Sequence, residues 1–142
     1  MMKLKCRHVS ASEAGGEIFQ VQFEEKRIQE DGPYVLIQRA WLEEDDGEFS
    51  PIYVETHDER LIGHYPEVDA QLTRRRLTIR LPSPEDESIE VDFTISDRNF
   101  AEVRRILGII LQKDMGKEDK RNANHTLDDI RQPVDGLPKP SV

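Results

Sequence analysis

The chain of 142 residues has one cysteine, Cys6, and one tryptophan, Trp41. A single cysteine excludes an internal disulfide framework and gives no sign of an oxidising compartment. No apolar run approaches the roughly 20 residues of a membrane-spanning helix, so no membrane partner is expected. The opening MMKLKCRHVSASEA lacks the apolar stretch of about seven or more residues that a secretion signal carries, and a cytoplasmic protein is expected. Gly-rich phosphate loops are missing too. The histidines, His8, His57, His64 and His125, are scattered. His57 and His64 lack the i, i+4 spacing of a helical zinc pair, so neither a metal nor a cofactor is expected. No Gly-rich elbow or helix start follows Cys6 to activate its thiolate, which makes it a buried strand residue.

Basic charge is also scarce. Residues 1 to 112 hold 14 Lys and Arg against 23 Asp and Glu, while residues 113 to 142 hold six of each, so the whole excess of −9 belongs to the first part. Such a surface repels phosphate backbones, which argues against direct nucleic-acid binding and for a basic protein partner. The run TRRRLTIR is too short and too acid-flanked to form a nucleic-acid face.

From Lys3 to Ile95 the pattern alternates with period two, the mark of strands with one buried face. KLKCRHV sets Leu4 and Cys6 against Lys3 and Lys5, and EIFQVQFE sets Phe19, Val21 and Phe23 against Gln20 and Gln22. SEAGG between them supplies a hairpin turn. GPYVLIQRAW is apolar on both faces from Tyr34 to Ile37, as in a central strand. The stretch from Glu67 to Ile95 predicts a three-stranded meander. A two-residue turn at Arg74 and Arg75, or a four-residue loop with the same pairing, sets Leu72 opposite Leu77, Ala70 opposite Ile79 and Val68 opposite Leu81; on the other face Asp69 sits beside Arg80, with Glu90 beyond it.

At Ser96 the period changes to about 3.6. Ser96 or Asp97 can cap a helix over Asp97 to Gln112, with Phe100, Val103, Ile106, Leu107, Ile110 and Leu111 on one stripe and Gly116 just past its end. From Lys113 the apolar rhythm is lost, and 113–142 is expected to be a largely disordered tail, with one short helical turn possible around TLDDI. Residues 1–112 then form a single domain. Six or seven strands make a sheet roughly 30 Å wide, whereas one helix covers about 10 Å. The expected class is therefore α+β, a strongly curved antiparallel sheet of six to seven strands packed on one C-terminal helix.

Two constellations carry candidate function. The first is the acidic loop with Glu43, Glu44, Asp45, Asp46 and Glu48. A calcium loop is excluded there, because Gly47 at the sixth position would put the first ligand on Leu42 and the twelfth on Tyr53. The second arises if the strand Tyr34 to Leu42 pairs with Ile52 to His57. One register sets Trp41 opposite Tyr53, Arg39 opposite Glu55 and Ile37 opposite His57. That gives a structural ion pair beside an aromatic pair, or else a polar pocket in which Glu55 or His57 does acid-base work and Arg39 holds an anion.

In order along the chain, Ile37-Gln38-Arg39, the 43–48 acidic loop, Tyr53-Val54-Glu55, Gly63 with Tyr65, the strand from Arg74 to Leu81 and the helix Phe100 to Leu111 resemble the immunity protein 10 family of bacterial polymorphic toxin systems. Gly63-His64-Tyr65-Pro66 departs from the more glycine-rich loop of that family. The resemblance implies a non-enzymatic, cytoplasmic protector that binds a cognate toxin domain, and it carries over no catalytic residue. Together with the charge it points to the acidic loop as the docking patch for a basic toxin. Two other readings stay open: a small enzyme centred on Arg39, Glu55 and His57, and a structural or regulatory subunit joined by a sheet edge. The sequence leaves the oligomeric state open.

Overall fold

In a computed structural model of the chain, residues 1–26, 32–42, 47–82 and 87–115 are described. They form ten strands in two sheets and one C-terminal helix, an α+β arrangement. One sheet has the order β1 (Met2–Cys6), β10 (Ser88–Phe93), β9 (Arg76–Arg80), β8 (Asp69–Leu72). The other runs β2 (His8–Ala14), β3 (Ile18–Glu24), β4 (Tyr34–Leu42), β6 (Ile52–Thr56), β7 (Gly63–Tyr65), with β5 (Glu48–Phe49) also paired to β4. The helix α1 spans Asp97–Leu111.

The mismatch between sheet width and helix width is resolved by division. Ten strands split between two sheets, where a single curved sheet of six to seven was expected. The sheets meet at Phe23 and Phe93, whose rings are 5.8 Å apart, and Phe93 stacks on Phe100 of the helix at 6.3 Å. Buried side chains from both sheets and α1 belong to one cluster, which runs past the expected boundary at 112 to take in Met115. The break between the sheets falls at Arg7, a single residue between β1 and β2. Because β1 leaves for the first sheet, it pairs with β10, and the pair is parallel: Met2 opposite Ile89, Leu4 opposite Val91. Every other pairing is antiparallel.

The meander keeps its expected register, with Leu72 opposite Leu77, Ala70 opposite Ile79 and Asp69 opposite Arg80. Glu90 departs from it. It lies opposite Thr78, and its carboxylate pairs with Arg76 at 2.8 Å and Lys3 at 3.8 Å, because β1 supplies a base on its other side. Ser96 caps α1, its side chain accepting the Asn99 N–H at 3.1 Å. The helix stops without glycine: Gln112 takes the left-handed conformation at φ 55, ψ 51, the Lys113 N–H returns to Gly108 O and the Gln112 N–H to Ile109 O. The helix thus ends where the sequence predicts, near Gln112; Gly116, the turn at TLDDI and all but the first three residues of the expected 113–142 tail lie outside the described residues.

Candidate functional site

The β4–β5 hairpin decides where the predicted residues go. Trp41 pairs with Phe49 and Leu42 with Glu48. Farther down, Gln38 pairs with Tyr53 and Ile37 with Val54. Three residues, Ser50 to Ile52, therefore face two, Arg39 and Ala40, which is a β-bulge. Pro51 has no N–H to give, and Ser50 compensates: its Oγ accepts the Ala40 N–H at 3.0 Å and donates to Pro51 O at 2.9 Å.

The pairing is three residues away from the expected register. An odd shift sends partners to opposite faces. Arg39 does not meet Glu55, and Trp41 does not meet Tyr53. Arg39 shares the inward face with the buried Val35 and Ile37. Its Nε donates to Ser50 O at 2.6 Å, its Nη1 donates to Ile110 O at 2.7 Å, and its guanidinium lies over the Phe49 ring at 5.2 Å. Trp41 meets Phe49 edge to face at 4.7 Å. A Cβ on Gly47 would come within 2.9 Å of the Trp41 ring, and Gly47 has φ 73, so glycine is needed there on both counts.

Glu55 faces outward and is held by two tyrosines. The Tyr34 hydroxyl donates to one carboxylate oxygen and the Tyr53 hydroxyl to the other, both at 2.7 Å. These bonds favour the carboxylate and hold Glu55 below its ordinary range. Desolvation, followed by the bond to Glu55, pushes Tyr34 up to about 12; the bond to Glu55 also raises Tyr53. The pairing drives acid and base away from neutrality, the reverse of what proton transfer at neutral pH requires. His57 is exposed, and its Nδ1 accepts the Tyr34 N–H at 3.2 Å. Arg39, Glu55 and His57 thus share no site.

The outer face of the six-stranded sheet forms continuous rows instead. Ser12, Gln20, Gln38, Tyr53 and His64 are cross-strand neighbours in turn. Tyr53 and His64 have ring centroids 5.0 Å apart. Beside them, at the bulge, lies a cleft of about 420 Å3 lined by Gln38, Arg39, Ala40, Ser50, Pro51, Tyr53 and His64. This surface offers hydrogen bonds and two aromatic rings, and its one arginine, Arg39, is already bonded to Ser50 O and Ile110 O, a composition suited to protein contact. Periodicity alone missed Tyr34 as the partner of Glu55, since that contact depends on the bulge.

Of the acidic loop, Glu43, Glu44, Asp45 and Asp46 lie outside the described residues. Glu48 is exposed at the hairpin's returning strand. Cys6 is buried, and desolvation raises its pKa to about 12, leaving a protonated, inert thiol. Among the described residues, no His, Cys, Asp and Glu side chains group as a metal site, and no helix is long and apolar enough to cross a membrane. No family model and no curated protein matches the chain.

Proposed function

We propose that the protein is a non-catalytic binding module of the immunity type, which neutralises a basic toxin domain through an acidic surface. The observation that carries this reading is the β4–β5 hairpin. Its paired strands are closed by Leu42 opposite Glu48, and in the sequence Glu43, Glu44, Asp45 and Asp46 come between these two residues, Glu48 adding a fifth acid. Ala40 and Ser50, just inside the hairpin, belong to the cleft beside Tyr53 and His64. A partner can be drawn in by charge and then anchored on the aromatic and amide groups next to it. Toxins that act on nucleic acid are basic where they hold phosphate, so an acidic inhibitor both accelerates the encounter and covers that surface. On this reading the protein works in the cytoplasm, where a lone buried thiol stays reduced.

The first test is whether a basic toxin domain is encoded beside the gene; its absence would count against this reading, and where one is present it is paired with the full chain. Changing all five acids to Asn or Gln is expected to slow association at low salt by about tenfold or more, with a smaller effect at high salt. Unchanged association kinetics would remove the hairpin as the docking element.

A further inference from the structure

The chain is acidic, yet at one end of the four-stranded sheet basic side chains collect around a single opening. A cleft of about 720 Å3 has Lys5, Arg7, Arg75 and Arg76 in its wall, against one carboxylate, Asp92. Asp92 is committed, taking Arg76 Nε at 2.7 Å and Nη2 at 3.3 Å. Glu25 is close by, but one of its oxygens accepts the Lys5 backbone N–H at 2.7 Å. Among the described residues, the side chains of Lys5, Arg7 and Arg75 make no hydrogen bond or ion pair. All three are exposed.

Among the described residues Arg7 and Arg75 have no partner, and Lys5 has only the longer-range attraction of Asp92, which Arg76 already holds, so three cations around one concavity repel one another. A compact ligand with several negative charges removes that repulsion, whereas a lone carboxylate brings only one charge. Phosphate oxygens match the forked donors of Arg7 and Arg75, and Thr73 and Thr94 add hydroxyls to the same wall. The volume falls within the range of roughly 300–1,000 Å3 typical of small-molecule sites. An extended nucleic acid is disfavoured by the acidic remainder of the surface; a compact anion is not.

We propose that this cleft binds a small molecule carrying two or more linked phosphates, held by Lys5, Arg7 and Arg75. The site is on the other sheet from the acidic hairpin and does not depend on the toxin-binding reading.

The isotope-labelled full chain is titrated with tripolyphosphate, with sodium chloride at matched ionic strength as the reference. Saturable amide shifts are expected around Lys5 to Arg7, Thr73 to Arg76 and Thr94. Arg7→Ala and Arg75→Ala should each weaken binding about tenfold, while Arg98→Ala leaves it unchanged. Because the replaced side chains are exposed, the same spectra report whether each variant stays folded. Shifts equal to those in sodium chloride, or affinity indifferent to Arg7 and Arg75, would overturn the site. Tighter binding of a glutamate-rich peptide at the same amides would overturn the phosphate assignment.

Discussion

Arg39 supplies one of the donors at the end of α1. The final four carbonyls of a helix have no intrahelical donor. Here Gly108 O receives the Lys113 N–H, Ile109 O the Gln112 N–H, and Ile110 O the guanidinium of Arg39. The last turn of the helix has no basic residue of its own, so a strand supplies the cation that its dipole favours. Arg39→Ala should lower stability by about 2 kcal/mol, and Arg39→Lys should recover less than half, since lysine cannot reach two carbonyls in a fixed fork. Urea unfolding measures this; a loss under about 0.5 kcal/mol would refute the role. Glu55 makes a different prediction. Its folded pKa is depressed, so its contribution is present above the unfolded-state pKa and fades as pH falls through the folded one. Replacing Tyr34 and Tyr53 together by Phe should return Glu55 toward the ordinary glutamate range in a carbon-detected NMR titration and flatten the acid limb of the stability curve. An unmoved Glu55 would mean that the hydroxyls do not set its charge.

At the level of elements, Gly108 puts two effects in opposition. Alanine is the better helix former by about 1 kcal/mol, but a Cβ at 108 would stand 2.9 Å from the Lys113 backbone oxygen. That oxygen belongs to the turn that closes the helix and cannot swing away as a side chain would. Gly108→Ala should therefore lower the melting temperature in calorimetry, and a rise would show that propensity wins. The helix itself was legible in the sequence because Ser96, the stripe from Phe100 to Ile110 and the change of period agree. The meander was legible for the same reason: strict alternation and a short turn leave one register that buries Leu72, Leu77 and Ile79 together. The site was not. Ser50 and Pro51 look like loop, yet they form a bulge inside a continuing arm, and the resulting three-residue shift puts Glu55 and Arg39 on opposite faces. The division into two sheets was equally hidden, since KLKCRHV alternates without interruption through Arg7, the residue at which the chain changes sheet.

For the molecule as a whole, charge is distributed unevenly between the two sheets. The acidic hairpin belongs to the six-stranded sheet and the basic cleft to the four-stranded one. If both proposals hold, partners of opposite sign would not compete for one surface, and ionic strength should weaken both interactions. The parallel pairing of β1 with β10 sets the order in which the fold can be assembled. The meander β8–β9–β10 needs only neighbouring segments, whereas Met2 must wait for Ile89. Until β1 is seated, one side of β10 is an open edge. Closing so long a loop is expected to be slower than pairing β8, β9 and β10, which would make β1 the latch of the finished molecule and its point of exposure before closure.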